Sequence, residues 1–159
     1  MKILKIFGCI VGIVLIMYLA VDFYIVKVYK DPVVSSLPGY ADKVFYEGSG
    51  TKGFTDYGKY FYEETVDLSH NEYFKKVKVS DISDIEEYIN TYMERVKSEY
   101  FYKDFDFSEK IIDENDYFFI SNNENKESYK IHKNKLDAFD IYFFDTKTDT
   151  LYFMHSNIW

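Results

Sequence analysis

Residues 80–101, SDISDIEEYINTYMERVKSEYF, are the strongest indicator of the fold in this chain. Apolar side chains recur three and four positions apart, which is the spacing of one face of an α-helix. Ser80 is the predicted N-cap, and the acidic residues that follow it favour a helix N-terminus. A single apolar stripe needs one partner surface, so the helix is predicted to pack across a sheet. The stripe consists of Ile82, Ile85, Tyr88, Ile89, Tyr92, Met93 and Val96.

The sequence on either side of this helix predicts β-strands. Residues 57–64 and 117–120 have strand composition, and residues 129–132 have it more weakly. Residues 139–144 and 151–154 flank the polar loop DTKTDT and predict a β-hairpin. A strand, a helix and an antiparallel meander in this order predict an α+β fold, with one amphipathic helix on a curved antiparallel sheet. Such an arrangement resembles the cystatin-like folds, which implies nothing about function.

The first thirty residues predict a transmembrane helix. Residues 6–21 contain no charged residue and span about 24 Å as a helix. Apolar residues on both sides extend the segment across the hydrocarbon core of roughly 30 Å. A cleaved secretory signal needs small residues at its end, and only Ala20 qualifies. Lipidation of Cys9 would leave most of the apolar run after the cut, so an uncleaved signal-anchor is favoured, with the N-terminus inside and the domain outside the membrane.

Gly8 and Gly12 form a G-x-x-x-G pair within the apolar segment. Glycines four residues apart lie on one helix face and allow a second helix to approach closely. This pattern predicts a weak homodimer through the membrane helix. The alternative is that glycine is simply frequent in membrane helices.

Charge and composition divide the chain into three regions. Residues 31–53 hold both prolines and predict a linker, and residues 54–159 predict a single extracytoplasmic domain. Residues 1–30 carry four lysines and one aspartate, a formal charge of +3. Because the whole chain has a net charge of −8, residues 31–159 carry −11. An acidic domain argues against nucleic acid as a partner and permits a basic protein partner. The alternative is that the charge serves solubility alone.

The sequence contains no recognised catalytic motif. Its histidines, His70, His132 and His155, lie far apart, and there is no G-x-S-x-G nucleophile motif. Phosphate-loop, dinucleotide-binding and C-x-x-C motifs are also absent, so no cofactor is predicted. The sequence therefore favours a binding protein. The competing class is an envelope enzyme that uses a pair of carboxylates as acid and base.

Two short patterns suggest weaker candidate sites. Asp104 and Asp106 form a D-x-D pattern that could ligate calcium, although Glu109 and Asn115 stand where an EF-hand requires glycine and glutamate. The alternative is a polar turn whose neighbouring phenylalanines point into the core.

Tyr60 and Tyr62 lie on the same face of the first predicted strand and could form an aromatic surface for cell-wall polymer.

Several stretches resemble those of uncharacterised small single-pass membrane-anchored proteins of AT-rich Gram-positive bacteria. The stretches are the apolar N-terminus, GFTDYGKYFYEE (53–64), YFKKVKVSDISDIEEYI (73–89) and DIYFFDTKTDTLYFMHSNI (140–158). The resemblance implies a location at the cell membrane and no particular activity. Together with the charge, it favours a membrane-anchored, non-catalytic interaction protein, for example an immunity or inhibitor protein that neutralises a basic toxin.

Overall fold

The computed structural model describes most of the chain after residue 30. The described residues are 12–14, 16–17, 31–48, 53–107, 111–122 and 137–158. They fall into two compact units, Met1–Leu37 and Pro38–Trp159.

In the first unit, the described residues are helical at two places. Residues 12–14 and 16–17 lie in a helix, and α1 spans Pro32–Ser35. Asp31 caps α1, because its Oδ1 accepts hydrogen bonds from the backbone N–H groups of Val33 and Val34 at 2.8 and 3.1 Å. Among the described residues, no helix is both long and apolar enough to cross a bilayer. Most of the predicted membrane segment lies outside the described residues.

The second unit is built on one antiparallel sheet of six strands. The strands are β1 (Asp42–Glu47), β2 (Gly53–Phe61), β3 (Lys75–Lys76), β4 (Tyr117–Asn122), β5 (Ala138–Asp145) and β6 (Thr150–Ile158). Their order across the sheet is β1-β2-β6-β5-β4-β3. The predicted meander is confirmed in β4, β5 and β6, which are consecutive neighbours. The weak strand predicted at residues 129–132 lies outside the described residues.

A single long helix, α2 (Val79–Val96), packs on one face of this sheet. The predicted α+β fold, one amphipathic helix on an antiparallel sheet, is therefore confirmed. Hydrogen bonds from Tyr92 and Arg95 attach α2 to the sheet. The Tyr92 hydroxyl donates to the Asp56 carbonyl at 2.7 Å, and Arg95 Nη1 donates to Ser156 Oγ at 2.6 Å. All seven residues of the predicted stripe are buried or pack against the core: Ile82, Ile85, Tyr88, Ile89, Tyr92, Met93 and Val96.

The N-terminus of α2 differs from the predicted one. The N-cap is Lys78, so Ser80 already lies in the first turn of the helix. The carboxylate of Asp81 accepts the backbone N–H of Lys78 at 3.2 Å, and the backbone N–H of Asp81 donates to the Lys78 carbonyl at 2.8 Å. The helix therefore begins two residues earlier than predicted.

The β5–β6 hairpin has the predicted polar loop. Residues 146–149 form the turn, and Asp149 adopts a left-handed backbone conformation with φ 45°. Aspartate tolerates this conformation better than most residues do. Asp145 closes the turn by accepting the N–H of Lys147 at 2.9 Å and the hydroxyl of Thr148 at 2.8 Å. These bonds set the register of the two strands.

The sheet begins earlier in the chain than the sequence indicates. We predicted a linker over residues 31–53 and a domain from residue 54, but residues 42–47 form β1 and the second unit begins at Pro38. β1 pairs with β2 along its whole length and is one of the two edge strands of the sheet. Most of its side chains are exposed or half-buried, so it lacks the apolar alternation that identifies a strand in a sequence.

Candidate functional site

The face of the sheet opposite α2, here called the outer face, carries a line of polar side chains. Side chains alternate between the two faces of a sheet, and Tyr57, Ile141 and Met154 belong to the core on the α2 side. Their sequence neighbours therefore lie on the outer face. Five of these are consecutive cross-strand partners and form what we call the polar row: Glu47, Asp56, His155, Asp140 and Ser121.

His155 lies at the centre of the polar row, between two aspartates. Its Nδ1 is 2.5 Å from Oδ1 of Asp140, and both side chains are largely buried, at 22% and 18% exposed. The hydrogen bond with Asp140 raises the pKa of His155 above its ordinary value; burial opposes this rise, while the charges of Asp140 and Asp56 add to it. The imidazole is thus held in a setting that favours its protonated form.

The pKa of Asp56, which lies on the other side of His155, is shifted in opposite directions by its surroundings. Burial raises the pKa of the Asp56 carboxyl group, and the nearby charges of Glu47 and Asp140 add to that rise. The N–H of Gly48, which donates to Asp56 Oδ1 at 3.2 Å, and the charge of His155 lower the pKa in part. Asp56 and Glu47 face each other directly across β1 and β2, an arrangement of like charges that is unfavourable in an isolated sheet.

Beside the polar row runs a line of aromatic side chains, here called the aromatic row. It consists of Phe45, Phe153, Tyr142 and Phe119, with Gly58 between the first two. The rings of Phe45 and Phe153 stack at 6.0 Å across Gly58, whose missing side chain leaves room for Phe45. The ring centroids of Phe153 and Tyr142 are 5.0 Å apart, and those of Tyr142 and Phe119 are 5.9 Å apart. The outer face therefore combines carboxylates with aromatic rings.

The order of residues in the polar row limits the chemistry it could perform. A Ser-His-Asp relay requires the histidine between the hydroxyl and the carboxylate. Here Asp140 lies between Ser121 and His155 in the strand register, so the imidazole is not next to the hydroxyl. The row can exchange protons through His155 and its aspartates, and it can bind a cation-bearing group through its carboxylates.

No protein-family model, curated protein or solved structure matches this chain. The resemblance to cystatin-like folds and to small membrane-anchored proteins of Gram-positive bacteria therefore stays a prediction.

The weak calcium site predicted at Asp104 and Asp106 receives no support from the geometry. Both oxygens of Asp106 are already engaged, Oδ1 by the Tyr57 hydroxyl and Oδ2 by Lys59 Nζ, each at 2.7 Å. Asp104 is exposed at the end of a short 3-10 helix. Among the described residues, no three His, Cys, Asp or Glu side chains converge in a way that could hold a metal ion. Phe107 is buried in the core beside this turn, as the alternative interpretation predicted.

Tyr60 and Tyr62 do not form an exposed aromatic surface. They are 9% and 8% exposed, respectively. Tyr60 packs edge-on against Tyr40 at 5.1 Å, and Tyr62 packs against Phe144 of β5 at 5.7 Å. The connection that follows β2 covers this part of the outer face and contributes three further buried side chains, Val66, Leu68 and Phe74. Sequence alternation placed the tyrosines on one face but could not reveal that this face is covered.

The predicted membrane-helix contact falls largely outside the described residues. Gly8 is among the residues that the structure does not describe. Gly12 lies in a helix, and among the described residues no atom beyond its chain neighbours and its own helix backbone lies within 4 Å of the place where its Cβ would be. Pairing of two helices through these glycines stays a prediction.

The polar row itself was missed by sequence reasoning, although part of it could have been found. A hairpin centred on the loop DTKTDT places Asp140 opposite His155, because the four-residue turn sets the register. Asp56 joins them through the pairing of β2 with β6, which are distant in the chain. Glu47 requires β1, which the sequence did not reveal. Only the pairing of Asp140 with His155 could therefore have been predicted from the sequence.

We expect stability to depend on pH through His155. Because its pKa is raised in the folded state, the protonated imidazole contributes stability that is complete below the ordinary histidine pKa of about 6.5. This contribution is lost as the pH rises through the raised value. Urea unfolding at pH 5.5, 7 and 8.5 measures this loss. As the pH rises from 5.5 to 8.5, the free energy of unfolding should fall more for the wild type than for His155→Gln. His70, which is exposed, provides the control variant His70→Gln, which should follow the wild type. Parallel curves for wild type and His155→Gln would contradict the assignment.

Proposed function

We propose that the protein is a membrane-anchored, non-catalytic interaction protein of the cell envelope whose partner is a basic protein. The observation that carries the proposal is the polar row of the outer face. Three of its members, Glu47, Asp56 and Asp140, are carboxylates, and His155 is its one basic member. With −11 formal charges on residues 31–159, the domain would attract a cationic protein over a long range and repel anionic ones.

The membrane anchor is part of the same proposal. In the segment that we propose as a signal-anchor, Ile13, Val14, Ile16 and Met17 are helical and each expose more than half of their side chains. Large apolar side chains projecting from a helix suit a lipid environment. We propose one span with the N-terminus inside, which places the acidic domain outside the membrane. A concrete form of this function is an immunity or inhibitor protein that intercepts a basic toxin at the cell surface.

An enzyme is the second candidate, and His155 is the observation that favours it. An imidazole between two aspartates is equipped for acid–base catalysis. The binding proposal is preferred because the described polar row offers His155 no adjacent nucleophile, since Ser121 lies beyond Asp140. The wall-polymer interpretation rested on Tyr60 and Tyr62, which are buried.

The test is capture of the partner by the full-length protein. The protein, embedded in the membranes of its own cells or in nonionic detergent, should retain a dominant basic envelope or secreted protein, which mass spectrometry identifies. Because attraction between exposed charges is screened by salt, retention at about 50 mM NaCl should be lost at about 500 mM. An unrelated single-pass protein with a domain of equal charge serves as the control bait. If the retained proteins were acidic, or if both baits retained the same proteins, the proposal would be wrong.

A further inference from the structure

Four outer-face side chains form an exposed patch where β1 and β2 meet. Phe45 and Glu47 lie on β1, and Phe54 and Asp56 lie on β2. Phe45 is 40% exposed and Phe54 is 52% exposed, whereas the aromatic side chains on the α2 face of the sheet are mostly buried in the core. β1 is one of the two edges of the sheet, so no further described strand lies beyond the patch on that side. We call this set of four residues the edge patch.

Among the described residues, the carboxylates of the edge patch are poorly balanced by nearby positive charge. Glu47 and Asp56 oppose each other in the β1–β2 register. Lys43 shares the outer face but lies four residues from Glu47 along β1, roughly 13 Å away. Lys59 points to the other face, where it pairs with Asp106. The imidazole of His155 neighbours Asp56 but is hydrogen-bonded to Asp140. A cation supplied by a partner would relieve the repulsion between Glu47 and Asp56.

The combination of rings and carboxylates selects among cationic groups. A guanidinium group is planar, stacks on aromatic faces and donates paired hydrogen bonds to carboxylates. An ammonium group is a compact point charge and is more strongly hydrated, so it gains less from two exposed phenylalanines. Anionic polymers and anionic lipid surfaces would be repelled by the same carboxylates. The edge patch therefore suits arginine better than lysine and excludes anionic partners.

We propose that the edge patch is the docking surface for the basic partner and that it binds an arginine side chain in an accessible segment of that partner. This inference rests on the proposed function and deepens it by naming the site and the chemical group. The guanidinium group is hydrogen-bonded by Glu47 and Asp56 and lies against Phe45, whereas Phe54 flanks the two carboxylates on the opposite side. The remaining negative charge of the domain steers the partner toward the membrane-anchored protein.

Binding of short synthetic peptides to the full-length protein in nonionic detergent tests the proposal. The probes are fluorescent hexa-arginine, hexalysine and hexaglutamate, measured by anisotropy at about 50 mM NaCl. We expect hexa-arginine to bind at least about threefold more tightly than hexalysine, and hexaglutamate not to bind. Glu47→Gln with Asp56→Asn should weaken hexa-arginine binding about tenfold, since both carboxylates are lost. Asn at position 56 keeps an oxygen that can accept the N–H of Gly48.

The aromatic half of the patch has its own variant. Phe45→Leu keeps an apolar side chain over Gly58 but removes the ring, so it should weaken hexa-arginine about threefold and leave hexalysine less affected. Two control variants make the same kinds of change, loss of two carboxylates and loss of one ring, at sites outside the edge patch. Glu87→Gln with Glu94→Gln removes two exposed carboxylates of α2, and Tyr100→Leu removes an aromatic ring that is 63% exposed. Both controls should stay within about twofold of the wild type.

The possible outcomes separate the docking site from the function. Equal weakening by the edge-patch pair and the α2 pair would mean that net charge alone binds the peptide, which overturns the docking site and leaves the proposed function intact. Equal affinity for hexa-arginine and hexalysine would overturn the arginine preference. No binding of hexa-arginine by the wild type would overturn the site, while the capture experiment independently decides whether a basic partner exists. If the double variant unfolds, Glu47→Gln alone should still weaken binding about threefold, since Glu47 is exposed.

Discussion

Replacing Phe143 by alanine is expected to lower the free energy of unfolding by about 3–5 kcal/mol. Phe143 is completely buried on β5, and its ring packs edge-on against Phe107 at 5.3 Å. It belongs to the core between α2 and the sheet. Truncation removes apolar contacts from this core and leaves a cavity that surrounding β-strands cannot easily close. Urea unfolding of the full-length protein in nonionic detergent, followed by circular dichroism, measures the loss.

The same substitution at an exposed phenylalanine provides the control. Phe54→Ala removes the same atoms from a side chain that is 52% exposed, so it should change the free energy of unfolding by about 0.5 kcal/mol or less. Because typical domains are stable by only about 5–15 kcal/mol, Phe143→Ala could fail to fold. Phe143→Leu, which keeps most of the volume, should then cost about 1.5 kcal/mol or less. Equal losses for Phe143→Ala and Phe54→Ala would show that the core is placed wrongly.

The helix and the hairpin could be predicted because their signals are local. The stripe from Ile82 to Val96 repeats at the helical period, and burial in the structure follows that repeat. The loop DTKTDT is bounded by apolar runs, and turn residues close it through hydrogen bonds that involve only near neighbours. In both elements the sequence pattern and the final contacts lie within one short stretch of chain, so no knowledge of the distant chain was needed.

β1 and the covering of the outer face could not be predicted, for two different reasons. β1 owes its structure to pairing with β2, and its own side chains alternate too weakly to indicate a strand. Tyr60 and Tyr62 are buried because the connection after β2 returns over the outer face, where Tyr62 meets Phe144 of β5 and Tyr73 meets Phe119 of β4. Such long-range contacts depend on topology, and strand composition carries little information about topology.

The candidate site shows the same division between local and distant information. The pairing of Asp140 with His155 follows from the hairpin register. Asp56 joins them through the pairing of β2 with β6, which are about a hundred residues apart in the chain, and Glu47 joins through the neighbouring strand β1. Charge counting indicated an acidic domain, but the concentration of its carboxylates beside exposed rings is a property of the sheet. The net charge of the sequence thus indicates a basic partner, whereas the surface that would bind this partner becomes apparent only in the folded sheet.

Asp116→Ala is expected to lower the free energy of unfolding by about 2–3 kcal/mol. Asp116 is completely buried just before β4. Its Oδ1 accepts the N–H and the hydroxyl of Thr146 at 3.0 and 3.1 Å, and its Oδ2 accepts the N–H of Asp113 at 2.9 Å. One carboxylate therefore joins the turn before β4 to the β5–β6 turn. Alanine would leave two backbone N–H groups without their acceptor in a partly buried place.

Two further variants separate this hydrogen-bonding role from a general effect of charge. Asp116→Asn keeps one oxygen for Thr146 but turns an amide N–H₂ group toward the N–H of Asp113, so it should cost about 1 kcal/mol, less than alanine. Glu114→Ala removes an exposed carboxylate two residues away and should cost about 0.5 kcal/mol or less. If Asp116→Ala were as stable as Glu114→Ala, the carboxylate would not join the two turns.

Burial raises the pKa of Asp116, and the hydrogen bonds from Thr146 and Asp113 counteract that rise. Thr146→Ala removes the hydroxyl donor and keeps both backbone donors, so it should raise the pKa of Asp116 further, which NMR titration of its carboxyl carbon can measure.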